Sequence, residues 1–216
     1  MSSRTKLLVS ILLAVTGAFA LSVLALEIKF RNGANGREAA SPQAREELSP
    51  IKALPDFQLT ERSGKTVRLA DLKGKVWLAD FVYTTCTGPC PMISHHLASL
   101  QNRTLENADV RFVSISTDPA HDTPDVLQKY AGEMHASPDK WLFLTGEKAQ
   151  VYDLIEHGFL LPVVEQPNEP QPIMHSTRLA LVDKRGVIRA FYDGTEGEGD
   201  ERILRDIARL LAEPAQ

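Results

Sequence analysis

The stretch that decides the fold runs from Val76 to Pro91 and reads VWLADFVYTTCTGPCP. Its first half is apolar, with β-branched and aromatic residues, a pattern typical of a buried strand. A turn rich in Thr, Gly and Pro follows, and apolar residues resume after it at helical spacing. The sequence therefore predicts a strand, a turn and a helix, with Cys86 and Cys90 on the turn or in the first turn of the helix.

The two cysteines carry the most reactive chemistry in this stretch. Cys86 and Cys90 are the only cysteines of the chain, so no wider disulfide framework exists. Free N–H groups and the positive end of the helix dipole favour thiolate over thiol at a helix start. Residues four apart on a helix have Cα atoms roughly 6 Å apart, which a disulfide tolerates. The two sulfurs can therefore hold a soft metal ion or close on each other, and both readings stay open.

The overall charge argues against one class of partner. The 216 residues carry a formal net charge of −4 at pH 7, and Lys and Arg are scattered along the chain. A nucleic-acid-binding protein presents a clustered basic surface. We therefore predict no nucleic-acid partner.

The N-terminal segment, residues 1–26, is predicted to be a membrane anchor. Leu7–Leu26 is a run of twenty uncharged, mostly apolar positions, about the length that crosses a bilayer. Arg4 and Lys6 precede the run, which places the N-terminus in the cytoplasm by the positive-inside rule. A cleaved signal peptide is the alternative, because Ala18–Ala20 resembles a cleavage site. In both interpretations the remaining chain lies outside the cytoplasm.

A tether over residues 27–50 and a folded domain over residues 51–216 are predicted to follow the anchor. The tether is rich in Gly, Asn, Ala, Ser, Pro and charge, as exposed linkers are. In the domain, strand patterns alternate with helix patterns, which predicts an α/β fold with a mixed central sheet flanked by helices. Phe159–Met174 contains four prolines and is predicted to be a long, partly mobile loop.

The domain resembles the thioredoxin superfamily and, within it, the SCO/SenC copper-chaperone family. The resemblance extends over Leu54–Ala212, and the cysteines are spaced C-x-x-x-C-P and not C-x-x-C as in thioredoxin. Taken together, its motifs are specific. They are Tyr83-Thr84-Thr85-Cys86, Cys90-Pro91, Ser116-Thr117-Asp118-Pro119, Asp122-Thr123-Pro124 and His175-Ser176.

The resemblance implies a thioredoxin-like fold that binds a copper ion, Cu(I) or Cu(II), through Cys86, Cys90 and His175. It implies delivery of copper to the dinuclear copper site of cytochrome c oxidase subunit II, with other copper carriers and a thiol-disulfide reductant as further partners. It also implies anchoring in the bacterial inner (cytoplasmic) membrane by the N-terminal helix, with the soluble domain in the periplasm. The chemistry agrees, because thiolate sulfur favours Cu(I) and an added imidazole makes Cu(II) tolerable.

Two features depart from the family pattern. Thr87, Gly88 and Pro89 separate the cysteines, where the family commonly has Pro-Asp-Val. Asp80 lies six residues before Cys86, where thioredoxins carry a buried aspartate that relays protons. A carboxyl in an apolar strand is costly to bury unless it is hydrogen-bonded or protonated. Asp80 therefore either points to a polar edge or caps a backbone group, or it has a raised pKa and moves a proton to or from a cysteine.

An enzyme is the rival function: a membrane-anchored thiol-disulfide oxidoreductase that reduces the cysteines of a copper-receiving partner. In that enzyme Cys86 attacks as the more exposed sulfur, Cys90 resolves the mixed disulfide, and Asp80 is a possible proton relay. A metallochaperone is the preferred interpretation. A structural zinc site normally has four ligands, and a structural disulfide across so short a loop stabilises little, so both are disfavoured.

Five histidines besides His175 need a place in this scheme. His95 and His96 follow the cysteines on the predicted helix and are expected to face solvent. His135 and His157 are expected at ordinary surface positions. His121 lies in the loop before Pro124 and is the alternative nitrogen donor.

Overall fold

The computed structural model describes residues 48–169, 172–195 and 199–214. These residues belong to one structural unit, which begins at Leu48. The predicted anchor and nearly all of the predicted tether lie outside the described residues. Among the residues that the structure describes, no helix combines the length and the apolar character that a membrane crossing requires.

Most of the described strands join one mixed sheet of eight strands, in the order β1-β10-β9-β4-β5-β6-β2-β3. β7 and β8 form a separate two-stranded sheet. The strands are β1 (Lys52–Ala53), β2 (Gln58–Glu61), β3 (Thr66–Arg68), β4 (Val76–Val82), β5 (Val110–Ser116), β6 (Trp141–Thr145), β7 (Val163–Glu165), β8 (Ile173–His175), β9 (Arg178–Val182) and β10 (Val187–Asp193). This mixed α/β architecture is the predicted one.

Helices connect the strands within the described part of the chain. They are α1 (Leu69–Leu72), α2 (Cys90–Arg103), α3 (Pro124–Glu133), α4 (Lys148–Asp153), a π-helical turn (Leu154–Gly158) and α5 (Asp200–Ala212). The longer ones bury one apolar stripe each, as amphipathic helices do on a sheet. The buried apolar residues of α2 are Ile93, Leu97 and Leu100, and those of α5 are Ile203, Ile207 and Leu210.

The central strand β4 fixes the position of the cysteine turn. All seven of its residues are buried, as expected of a strand with a parallel neighbour and both faces covered. β5 pairs with it in parallel along its whole length, from Val76 opposite Val110 to Val82 opposite Ser116, and β9 pairs with it in antiparallel on the other side. The turn after Val82 therefore leaves the sheet at the carboxyl end of a central strand, where open α/β sheets place their binding sites.

The proline-rich segment differs from its prediction as a loop without regular structure. β7 and β8 pair in antiparallel, with Val163 opposite His175 and Val164 opposite Met174. The prolines do not prevent this pairing, because Pro162 lies just before β7, Pro172 lies just before β8, and Pro167 follows β7. At such positions a proline is not required to donate to the ladder.

The hairpin of β7 and β8 is attached to the rest of the domain. On one face Val163 and Ile173 are buried, and Lys148 of α4 forms an ion pair with Glu165. On the opposite face Val164 and Met174 are exposed. The alternation of the two strands therefore turns His175, the cross-strand partner of Val163, toward the domain.

Asp80 lies inside the core, in β4. It is 2% exposed, and the Ser114 hydroxyl of β5 donates a hydrogen bond to its Oδ1 at 2.5 Å. The Trp141 indole N–H donates in turn to Ser114 Oγ at 2.8 Å. Its Oδ2 has no hydrogen-bond partner among the described residues. Because the carboxyl is buried in the core, the polar-edge alternative is wrong. Burial raises the pKa of the Asp80 carboxyl to about 7.

We expect this carboxyl to make stability depend on pH. The folded carboxyl keeps its proton up to a pH of about 7, whereas an unfolded Asp loses it near a pH of about 4. Relative to Asp80→Asn, the free energy of unfolding of the wild type is therefore highest at low pH and falls as pH rises from about 4 to about 7. Urea unfolding of both proteins at a series of pH values measures this difference.

Asp193→Asn is the matched control for this experiment, because Asp193 is an exposed carboxyl whose pKa is lowered by hydrogen bonds from Thr195. The stability that Asp193 contributes is present above its unfolded pKa and is lost as pH falls, the opposite direction to Asp80. A wild-type to Asp80→Asn difference that stays constant over the range would contradict the raised pKa.

Candidate metal centre

The two cysteines lie on either side of a sharp turn between β4 and α2. The Cys86 N–H donates to the Tyr83 carbonyl at 3.1 Å, and the Pro89 carbonyl accepts from the Ile93 N–H at 3.0 Å, which starts the helix. Cys86 therefore lies in the turn and Cys90 is the first residue of α2. They do not form a disulfide, and Cys86 is 7% exposed and Cys90 1% exposed.

The two thiols hydrogen-bond to each other and share one proton unequally. The Cys90 thiol donates to the Cys86 sulfur, and this bond is the largest cause that lowers the pKa of Cys86 to about 5. Backbone N–H groups of Cys90 and Gly88 and the Tyr83 hydroxyl lower it further, against the cost of burial. The same bond, together with burial, raises the pKa of Cys90. The pair is therefore best described as a Cys86 thiolate held by a Cys90 thiol.

His175 lies next to this pair in space, although it is distant from both cysteines in the sequence. Its Nε2 lies 3.4 Å from Cys90 Sγ, although 85 residues separate the two. The imidazole lies at the end of β8, edge-to-face with the Tyr83 ring. His175 therefore contacts Cys90 without any loop movement, as the predicted convergence requires of this pair.

A hydrogen bond fixes the tautomer of His175. Nδ1 lies 3.0 Å from the Ser176 carbonyl oxygen, and a carbonyl oxygen only accepts, so Nδ1 carries the proton. Burial lowers the pKa of His175, which favours the neutral ring. A neutral ring with its proton on Nδ1 has its lone pair on Nε2. That lone pair faces Cys90 Sγ.

Asp122 is a residue of the site that sequence reasoning missed. The motif Asp122-Thr123-Pro124 was interpreted as a helix cap, and Thr123 is the cap of α3. Asp122 is 0% exposed, and its carboxylate accepts from the Thr84 hydroxyl at 2.5 Å, the Thr84 N–H at 3.1 Å and the Ser116 hydroxyl at 2.6 Å. It therefore ties the loop after β5 to the turn that leads into Cys86. A buried Asp beside a helix cap has no sequence signal that would reveal this.

The other histidines take no part in the thiol cluster. His95, His135 and His157 are exposed, as predicted. His121 contacts Asp122 and Thr84. The prediction for His96 is wrong, because its side chain is 8% exposed and contacts Asp200 of α5 through Nε2 and the Gly194 carbonyl through Nδ1. That position joins α2 to α5, since the ring has an acceptor at each nitrogen.

Two pairwise contacts link the three expected donors. Cys86 bonds to Cys90, and Cys90 contacts His175. Within the described part of the chain, no group of three or more His, Cys, Asp and Glu side chains lies close enough together to hold a metal ion as the side chains stand. Met92 and Met174 are both about half exposed.

A family model and a similar known protein both point to one family. A family model described as SCO1/SenC matches residues 45–212. The SCO1 protein homolog of Bacillus subtilis is 35% identical over 152 residues, which are 70% of this chain and 79% of that protein. The residues that the family model matches include the sheet, the cysteine turn and His175.

Solved structures agree with the sequence comparison. The structure that identified a disulfide switch in BsSco, a member of the Sco family of cytochrome c oxidase assembly proteins, has a TM-score of 0.69 and 33% identity and covers 77% of this chain and 98% of that chain. The crystal structure of Arabidopsis thaliana ScoI with copper bound has a TM-score of 0.63 and 25% identity and covers 73% of this chain and 99% of that chain. The chain therefore belongs to the SCO1/SenC family.

Proposed function

We propose that this protein is a copper chaperone that binds copper through Cys86, Cys90 and His175 and delivers it for assembly of the dinuclear copper site of cytochrome c oxidase. The single observation that carries the proposal is the 3.4 Å contact between Cys90 Sγ and the unprotonated Nε2 of His175. In the metal-free protein the Cys90 S–H can donate a hydrogen bond to this nitrogen. A soft metal ion would replace that proton and bind Nε2 together with the two sulfurs.

The donor set suits a cargo ion better than a resident one. Thiolate sulfur is the preferred ligand of Cu(I), and the imidazole nitrogen extends the range to Cu(II). Three protein ligands leave the coordination shell open to a ligand from a receiving protein. The hydrogen bond from Nδ1 to Ser176 keeps the imidazole in its ligating tautomer.

The similar proteins support the same proposed function. BsSco is a member of the Sco family of cytochrome c oxidase assembly proteins, and the Arabidopsis ScoI structure has copper bound. For this chain we infer cytochrome c oxidase subunit II as the receiver and other copper carriers as donors. We also infer that the apolar run Leu7–Leu26 anchors the protein in the bacterial inner membrane, with the domain in the periplasm.

Loading depends on the redox state of the cysteines. A thiolate binds copper and a disulfide does not, so oxidation of Cys86 and Cys90 to a disulfide would block loading. A thiol-disulfide reductant is therefore a necessary partner in an oxidising compartment. The low pKa of Cys86, about 5, means that half of the donor pair is already deprotonated near neutral pH.

The same low pKa favours a second candidate function, a thiol-disulfide oxidoreductase. The Cys86 thiolate would attack a disulfide of a copper-receiving partner and release one partner thiolate. The Cys90 sulfur, after losing its proton, would attack Cys86, form the Cys86–Cys90 disulfide and release the second partner thiol. The partner's disulfide gains two electrons, and the Cys86–Cys90 pair loses two. Asp80, with a pKa of about 7, would accept the proton from Cys90.

We predict stoichiometric copper binding by the reduced protein and its loss on removal of the donors. Cys86→Ser and Cys90→Ser should each abolish tight binding, because a hydroxyl is a poor ligand for Cu(I). His175→Ala should retain Cu(I) and weaken Cu(II) binding by at least about tenfold, because it removes the nitrogen donor. Titration of copper into the reduced protein, with competition by a chelator, measures both.

His95→Ala is the matched control for the histidine variant, since His95 is an exposed residue of α2. It should bind copper as the wild type does. Stoichiometric tight binding by the double variant Cys86→Ser/Cys90→Ser would end the proposal.

Asp80→Asn should separate the two candidate functions. Copper affinity should change by less than about twofold, because Asp80 is not among the expected donors, whereas exchange with a model disulfide should slow by about tenfold or more at pH 7 if Asp80 relays the proton. Stopped-flow measurement of disulfide reduction, beside copper titration of the same variant, supplies both numbers. Unchanged exchange would remove the proton-relay role of Asp80.

A further inference from the structure

Tyr83 contacts all three of the expected donors, although nothing in the sequence marked it beyond its place in a motif. It is the first residue after β4 and is 2% exposed. Its hydroxyl hydrogen-bonds the Cys86 sulfur, and its backbone N–H hydrogen-bonds the Cys90 sulfur. Its ring lies edge-to-face with the His175 imidazole, with centroids 5.7 Å apart and planes at 83°.

The hydroxyl contact depends on the state of Cys86. A sulfur with a full lone pair and negative charge is a strong acceptor, so the Tyr83 O–H donates to it. A disulfide sulfur is a much weaker acceptor. The hydrogen bond therefore stabilises the reduced pair relative to the disulfide. The reduced pair is the form that can bind copper.

The contact made by the Tyr83 ring acts on His175 and not on Cys86. An edge-to-face pair of aromatic rings restricts the plane of each ring and contributes beyond the buried area. The His175 ring is also held at Nδ1 by the Ser176 carbonyl. Two contacts, one at Nδ1 and one on the ring, leave Nε2 directed at Cys90 Sγ.

We propose that Tyr83 is the positioning residue of this site and has two separable roles: its hydroxyl holds Cys86 in the reduced pair, and its ring orients His175. The inference rests on the proposed function, because the donors that it positions are the expected copper ligands. It goes further by assigning one residue that couples the cysteine turn to the β8 histidine, two segments far apart in the chain.

Two variants test the two roles. Tyr83→Phe removes the hydroxyl and keeps the ring and the backbone N–H. Tyr83→Leu removes the ring as well. Tyr130→Phe is the matched control, because Tyr130 is a buried tyrosine of α3 whose hydroxyl bonds to Ser94.

The hydroxyl role is measured without copper, by equilibrating the full chain with dithiol redox buffers. In Tyr83→Phe the equilibrium constant for reduction of the Cys86–Cys90 disulfide should fall about tenfold, because the lost hydrogen bond is made to the reduced sulfur and not to the disulfide. That change makes the reduction potential about 30 mV more negative. Tyr130→Phe should leave it unchanged.

The ring role is measured by NMR of the reduced protein. Nuclear Overhauser contacts between the ring at position 83 and the His175 imidazole should be present in the wild type and in Tyr83→Phe. Tyr83→Leu should shift the His175 imidazole signals and weaken its Cu(II) binding by several-fold. If Tyr83→Leu does not fold, the contacts in the wild type and in Tyr83→Phe still decide the ring role.

Three results would overturn the inference. They are an unchanged reduction equilibrium in Tyr83→Phe, absent contacts between the two rings, or displaced His175 signals in Tyr83→Phe, which would mean that the roles are not separable. None of these results bears on copper binding itself. A wild-type protein that binds no copper would contradict the proposed function whatever the reduction equilibrium.

Discussion

The position of one proton, on Nδ1 of His175, determines what the site can do. The Ser176 carbonyl accepts that proton at 3.0 Å, so the lone pair lies on Nε2 and faces Cys90 Sγ at 3.4 Å. The opposite tautomer would place an N–H against the thiol and leave no nitrogen donor. The arrangement therefore depends on a backbone carbonyl in the short link between β8 and β9, which the sheet holds in place through β9 and β4.

The thiol pair has a chemistry that serves two functions. A Cys86 thiolate stabilised by a Cys90 thiol is ready to bind a soft metal ion and is also ready to attack a disulfide. His175 Nε2 lies 3.4 Å from Cys90 Sγ, where it would complete the proposed sulfur and nitrogen donor set for copper. The Tyr83 side chain contacts both parts of the set, the Cys86 sulfur through its hydroxyl and the His175 imidazole through its ring.

Much of the fold could be predicted from the sequence, because β4 is a continuous apolar run and the cysteine turn ends it. The β7–β8 hairpin could not, because four prolines outweigh two strands of three residues each in any local pattern. The family resemblance indicated His175, but its tautomer depends on a contact with the Ser176 backbone. The roles of Tyr83, Asp122 and His96 depend on partners distant in sequence, and local spacing carries no information about those.

X-ray absorption spectroscopy of the copper-loaded, reduced protein tests the central claim most directly, because it reports the atoms bound to the metal. The account predicts two sulfur ligands and one imidazole nitrogen, with the imidazole signal absent from His175→Ala. An identical spectrum for the wild type and His175→Ala, with sulfur as the sole protein ligand, would contradict it.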